Sequence, residues 1–239
     1  DIELSSTFVN EYSYYSMFAN CSSLSSIPSN LFSSTVQLAG TYALGYMFVN
    51  CKSLTSLPSE LLHPFLDAGM HEISCVAMFY GCSGLTSIPS DFLTGSITLA
   101  NRYVFQYMFA NCTGLTSLPN DLLQQYTDVI QGAYQSMFSG CTGLTSIPNG
   151  FLPYTNQYGY FAANAYESMF SGCTGLTSIP SNLLPQTFLK VDYSDRCYAN
   201  MFKDCTGLTS IPNGFLPATT LAKECYYGMF RGCTRLTSI

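Results

Sequence analysis

The pair Met-Phe recurs at Met17, Met47, Met78, Met108, Met137, Met169, Met201 and Met229, at intervals of 30, 31, 30, 29, 32, 32 and 28 residues. With Met as position zero, +1 is always Phe, +4 always Cys, +7 always Leu, +9 always Ser, and +10 always Ile or Leu. Pro follows at +11 in each of the seven copies that extend so far, and residues from −4 to +15 align without a gap. Length varies only between +15 and the next −4. A repeat fixed at this period places the same residue at the same point of every coil, and the apolar columns can be buried only by stacking coil on coil. The expectation is an α/β solenoid of the leucine-rich-repeat kind, with short parallel strands plus short helical turns in eight copies of about 30 residues. Residues 1–12 are expected to form an N-terminal cap segment, with Ile2, Leu4, Phe8 and Val9 folding over the first copy. Residues 13–239 form one repeat domain whose last copy is incomplete.

Within a copy, apolar columns at −3, 0, +1 and +4 have helical spacing, as in Tyr134, Met137, Phe138 and Cys141. Position +3 is Asn, Gly or Asp throughout, types that tolerate the left-handed conformation ending a helix. The run Leu-Thr-Ser-Ile-Pro, as at Leu144 to Pro148, suits a short strand. Ser or Asn at +12 suits an N-cap for a further brief turn. A second short strand is expected where the variable segment alternates, at Val36 and Leu38, Ile97 and Leu99, and Leu189 and Val191.

The motif Met-Phe-x-x-Cys-x-x-Leu-Thr-Ser-Ile-Pro resembles the BspA-like leucine-rich repeats of bacterial surface proteins and the related repeat of mycoplasma lipoproteins. The likeness covers about residues 14–239, with a longer variable segment here than those families carry. It implies a cell-surface or secreted location and a part in adhesion or protein interaction. It implies no catalytic residues.

Composition narrows the function further. Only 9% of residues are charged, against about a quarter in ordinary globular chains, so Ser, Thr and Asn must cover much of the surface. The net charge of −6 is uneven: residues 1–189 hold two basic and ten acidic residues, residues 190–239 six basic and four acidic. That is not the basic footprint of a nucleic-acid binder, and no apolar run is long enough to span a membrane.

Eight of the eleven cysteines form the +4 column, one per copy, which reads as a small buried hydrophobe rather than a metal site. Cys197 and Cys225 share a column in adjacent copies, where a disulfide requires Cα atoms within about 7 Å. His63 and His71 have no ligand spacing and read as solvated loop residues. Position +13 brings three acids into successive copies, Glu60, Asp91 and Asp121. Crowded carboxylates are relieved by a hard cation such as calcium, the one cofactor the sequence suggests. The alternative is that each acid favours the first turn after a capping Ser or Asn. Tyr154, Tyr158, Tyr160 and Phe161 lie in one long variable segment and are candidates for contact with a protein or a sugar. The final copy stops at Ile239 and would present Phe230, Cys233, Leu236 and Ile239 to water, so the expectation is either that the natural protein continues beyond residue 239 or that two molecules meet end to end through the C-terminal repeat.

The expected function is a non-enzymatic interaction module, extracellular or on the cell surface, binding a protein or glycan ligand. One alternative is a purely structural stalk displaying another domain. A carbohydrate-active enzyme is disfavoured by the few acids and the lack of a paired carboxylate motif.

Overall fold

The computed structural model describes residues 4, 8–32, 37–38, 40–68, 72–94, 102–124, 129–153, 162–184, 194–216, 218 and 220–239. Successive copies stack as coils of a solenoid. The +1 phenylalanines form one ladder of eight rings, from Phe18 through Phe48, Phe79, Phe109, Phe138, Phe170 and Phe202 to Phe230. Neighbouring centroids lie 5.4–5.8 Å apart, with planes within 11° of parallel. A second ladder at −3 runs through Phe105, Tyr134, Tyr166, Tyr198 and Tyr226. Phe92, Phe151 and Phe215 at +14 meet the first ladder at 55–66° and close the core between coils. Met at 0, Phe at +1, Cys at +4 and Leu at +7 are fully buried in the middle copies.

The segment expected to be helical is not helical in any copy. From −7 to +4 the chain runs through overlapping β-turns, and its amides alternate between two kinds of partner. In the third copy Val76, Met78, Tyr80 and Cys82 donate within the copy to the carbonyls of Ile73, Cys75, Ala77 and Phe79, at 3.1–3.3 Å. The interleaved Ile73, Cys75, Ala77, Phe79 and Gly81 donate to Arg102, Val104, Gln106, Met108 and Ala110 of the next copy, at 2.8–3.2 Å. Each buried donor and acceptor therefore has a partner, half locally and half across the coil junction.

The conformational signature is a positive φ at −5, −1 and +3 in all eight copies: Tyr103, Tyr107 and Asn111 in the fourth, at 56°, 56° and 58°. A positive φ at the third residue of every second turn, with negative φ before it, is the mark of type II turns. Three of every nine residues in this run are left-handed, which an α-helix cannot accommodate. The helical reading failed because columns at −3, 0, +1 and +4 are equally well placed on the inner side of a turn run. Only +3 shows its conformation in its residue types. Positions −5 and −1 carry Tyr, Ser and even the β-branched Ile73, held by the hydrogen bonds across the junction.

The Leu-Thr-Ser-Ile-Pro run is extended but forms no continuous ladder. At four successive junctions it makes a backbone bond from the +8 amide to the preceding +8 carbonyl, as from Thr116 to Thr86 and Thr145 to Thr116, both 3.4 Å, and between the last two copies Thr237 bonds to Thr209 and Ile211 to Ser238. The paired strands are in the variable segment instead: β1 (Phe8–Val9) and β2 (Gln37–Leu38) are parallel, with Phe8 opposite Gln37 and Val9 opposite Leu38. The alternations at 97–99 and 189–191 lie outside the described residues. After Pro, the +14 amide bonds back to the +11 carbonyl, as from Phe92 to Pro89, giving the expected brief turn. In the second copy it grows into a 3-10 helix (Ser59–Leu62) followed by α1 (His63–Ala68). The N-cap is Pro58 rather than Ser59, and no side chain caps it.

Of the N-terminal segment, Leu4 bridges to Phe32, β1 runs beside β2, and Tyr12 is already the first left-handed residue of the first turn run. The described part of this segment thus lies along the end of the first copy, at Phe32 and β2, while Met17 stays 48% exposed. At the other end Ile239 is 93% exposed and Phe230 and Leu236 are half-buried.

Candidate ligand-binding face

The outward positions of the turn run, −5, −2, −1 and +2, carry an aromatic surface in the first four copies. Tyr12 and Tyr42, both at −5, stack at 5.1 Å with planes 6° apart. Tyr15 at −2 meets Tyr12 edge-on at 5.3 Å and Tyr46 at 5.4 Å. Tyr15 can lie flat here because the next copy has Gly45 at −2, where an added Cβ would come within 3.2 Å of its ring. The same device seats Tyr103 over Gly132, where an added Cβ would stand 2.1 Å from the ring and φ is +62°. Tyr12, Tyr15 and Tyr107 are 51%, 40% and 37% exposed.

Between Tyr46 and Tyr107 the surface opens into a recess of about 360 Å³ lined by Tyr46, Val49, Ala77, Tyr80 and Tyr107. Its origin is a single residue. Tyr46, Ala77 and Tyr107 occupy the same −1 position in three successive copies, so Ala77 leaves a gap where a third tyrosine would complete the row. Ala77 is buried and floors the recess. The amide of Asn111 donates to the Tyr80 hydroxyl oxygen at 2.6 Å, which fixes that ring and leaves the phenol proton to donate elsewhere. Burial, with smaller contributions from the phenols of Tyr15, Tyr42, Tyr107 and Tyr80, pushes Tyr46 above its ordinary range, so it remains a neutral donor at physiological pH. No acid, base or amide lines the recess; its polar groups are phenols.

A polar ladder continues the face toward the C-terminal end. Gln106 donates to Gln135 at 2.6 Å, Gln135 to Glu167 at 3.0 Å, and Arg196 bridges Glu167 and Glu224 while lying 5.8 Å from the Tyr227 ring centroid. Glu167 holds the Arg196 guanidinium above its ordinary range. Larger recesses, of about 440 and 680 Å³, lie at the two ends. They are lined by the core columns themselves, such as Phe18 and Leu24 or Phe230 and Leu236.

Of the residues singled out from sequence, the three acids fall elsewhere. Tyr154, Tyr158, Tyr160 and Phe161 lie outside the described residues. Glu60, Asp91 and Asp121 are all exposed. Glu60 sits in the first turn of the 3-10 helix, and the Ser59 hydroxyl and its own amide hold its carboxyl below the ordinary range. The Asp91 carbonyl oxygen, rather than its carboxylate, is engaged, by Thr94 at 2.5 Å and His63 Nε2 at 2.9 Å. Among the described residues no three His, Cys, Asp or Glu side chains converge as metal ligands would. All eleven cysteines are thiols, and Cys197 and Cys225 are both buried. Nor, among the described residues, is any helix long and apolar enough to cross a membrane.

The tyrosines at −5, −2, −1 and +2 have i, i+3, i+4, i+7 spacing, so even a helical reading places them on one face, opposite the apolar columns. That spacing was the available signal, with tyrosine at one or two of these positions in each of the first four copies.

No family model matches the chain, and no curated protein does. Among solved structures it is similar to a leucine-rich repeat protein of T. pallidum, TpLRR, at 19% identity and a TM-score of 0.38, over 96% of this chain and 71% of that one. It is similar to a leucine-rich repeat protein from Bacteroides ovatus at 17% identity and a TM-score of 0.34, over 97% of this chain and 75% of that one. A leucine rich cell surface protein from Faecalibacterium prausnitzii aligns at 15% identity and a TM-score of 0.25, over 97% of this chain and 82% of that one. The first two of these neighbours are leucine-rich repeat proteins. The repeat architecture itself stands on the ring ladders and junction hydrogen bonds of this chain.

Proposed function

We propose that the chain is a non-enzymatic interaction module that captures a ligand on the tyrosine face of copies one to four. The observation that carries this reading is one surface made of the exposed Tyr12, Tyr15 and Tyr107 and the half-buried Tyr42, Tyr46 and Tyr80, joined by ring contacts and by the recess they line, on a hydrogen-bonded backbone. Rigid tyrosines give large amphipathic contact area at low entropic cost, and preorganisation of this kind converts contact into affinity. A cell-surface or secreted setting is part of the same proposal and rests on the resemblance of the repeat motif to BspA-like repeats.

The test is binding of the fluorescently labelled protein to immobilised glycan and protein arrays, beside a Tyr46→Ser/Tyr107→Ser variant. Serine occupies the same −1 position, also with positive φ, in copies one, five and six, at Ser16, Ser136 and Ser168, so the variant keeps a side chain the fold already accepts. Array signals lost in the variant at unchanged melting temperature support the reading. Signals that survive it, or no signal on either array, contradict it and leave the stalk alternative.

A further inference from the structure

We infer that the recess over Ala77 is a binding site for a neutral saccharide, a pyranose unit held between the aromatic rings of Tyr46, Tyr80 and Tyr107. This rests on the interaction reading above and specifies its ligand.

Four observations select a sugar over a peptide. First, the walls are tyrosine rings and the floor is a methyl group, so the recess offers apolar surfaces to the C–H faces of a ring. Tyr46 and Tyr107 are two coils apart, and the phenylalanine-ladder steps between their copies measure 5.5 and 5.6 Å, so the gap left at Ala77 is wide enough for a puckered ring. Second, the polar groups of the lining are neutral phenols, with the Asn111 amide fixing one of them from outside. Such groups both donate and accept, which matches the hydroxyls of a neutral polyol, whereas an anionic or cationic ligand would meet no counter-charge. Third, the volume of about 360 Å³ is at the small end of ligand recesses, suited to one or two sugar units. Fourth, the backbone beneath offers nothing to an extended peptide. The amides of Tyr46, Ala77 and Tyr107 are spent on Val76, Gln106 and Gln135 of the following copies, and that of Tyr80 on Ala77. Strand addition, which draws its affinity from main-chain bonds, has no edge here. Flanking Tyr12, Tyr15 and Tyr42 extend the aromatic surface on one side and would contact further units of a chain.

The decisive variant is Ala77→Tyr. It restores at copy three the residue that copies two and four carry at the same position, with the same positive φ, and fills the recess with minimal disturbance to the fold. The probes are cello-, manno-, xylo- and chito-hexaose, titrated against the whole chain by intrinsic tyrosine fluorescence, with no tryptophan present to mask the signal. Calorimetry serves as the second readout. The expected result is saturable binding of at least one hexaose, weakened at least tenfold by Ala77→Tyr and by Tyr107→Ser, with the melting temperature of each variant unchanged. No saturable binding of any probe up to about 10 mM, a range of only a few kcal/mol in affinity, would overturn the saccharide assignment. So would binding that both variants leave intact. If a peptide or protein binds instead and Ala77→Tyr abolishes it, the saccharide is wrong while the tyrosine face stands as an interaction surface. If Ala77→Tyr unfolds the chain, Tyr107→Ser alone decides by the same criteria.

Discussion

The thiol of Cys141 donates to the carbonyl oxygen of Phe109 in the preceding copy at 3.1 Å, and the same oxygen accepts the amide of Cys112 at 3.3 Å. This arrangement repeats at seven junctions, from Cys51 with Phe18 to Cys233 with Phe202, at 3.1–3.2 Å. The +4 cysteine is therefore a weak donor that ties coil to coil at the edge of the phenylalanine ladder, as well as a buried hydrophobe. A carbonyl has two lone pairs, and the sulfur uses the second. Replacing Cys141 by Ala is expected to cost about 1–2 kcal/mol, from a lost hydrogen bond and the volume left empty. For a chain of this size that lowers the melting midpoint by about 2–8 °C. Cys141→Ser keeps a donor for the same oxygen and should cost less than alanine. A mere hydrophobe would show the reverse order, since serine buries a hydroxyl. Thermal melts of the two variants decide between them.

Accessibility of the thiols follows directly. Ten of the eleven cysteines are buried and Cys21, in the first copy, is exposed. A thiol reagent is expected to titrate about one thiol per native chain quickly and all of them after unfolding in guanidinium. Rapid native reaction of most thiols would contradict the buried column.

The same burial sets a pH dependence. Desolvation pushes the Cys51 thiol to about 11 and that of Cys82 to about 12, above the ordinary 9.0, because the thiolate is the form disfavoured inside. The unfolded chain thus loses these protons first. The stability they contribute is complete below pH 9 and is lost as pH rises toward 12. Melting temperature is expected to fall steadily above pH 9 under reducing conditions. A curve flat from pH 8 to 11 would show that these thiols do not titrate between folded and unfolded states.

Much of the architecture is legible in the sequence, and the reason is repetition. Eight copies of Phe18 or its equivalents at one position force a ladder whatever the local backbone does. Local conformation is less legible, because inward-facing residues at −3, 0, +1 and +4 suit a helix and an alternating turn run alike. What separates the two is the sign of φ at Tyr103 and Tyr107, and tyrosine does not announce it. The tyrosine face does not depend on that distinction, since −5, −2, −1 and +2 share a face in either reading, but the Ala77 recess shows only when copies two, three and four are set side by side in space. The acids make a related point: a shared +13 column guarantees neighbouring backbones, and among the described residues no three metal-ligating side chains converge.

One glycine pair tests how tightly the turn runs interlock. Gly140 and Gly172 have nearly the same φ, +74° and +73°. A Cβ on Gly140 would stand 2.0 Å from Asn111 Oδ1, whereas one on Gly172 meets nothing nearer than 3.7 Å. Both alanine variants carry the left-handed penalty of roughly 1–2 kcal/mol. Gly140→Ala is expected to cost more, as Asn111 must also move. Equal losses in chemical denaturation would mean that the +3 side chains do not pack against the next coil.

Calcium gives a further contrast. Glu60, Asp91 and Asp121 are exposed and form no convergent group among the described residues. Addition of millimolar calcium is expected to leave the melting temperature unchanged, since only a ligand bound by the native state raises it. A rise that Asp91→Asn abolishes would restore the cation site.

The most direct test of the structure on which the ligand-binding face depends is backbone nuclear magnetic resonance of residues 102–111. Coupling constants and chemical shifts should give positive φ at Tyr103, Tyr107 and Asn111 and negative φ between them. Amide exchange should be slow for Phe105 and Tyr107, which bond to Ala133 and Gln135, and also for Gln106 and Met108, which bond within the copy. An unbroken helical pattern of shifts from Arg102 to Ala110 would contradict it, and would remove the surface on which Tyr46, Tyr80 and Tyr107 are held.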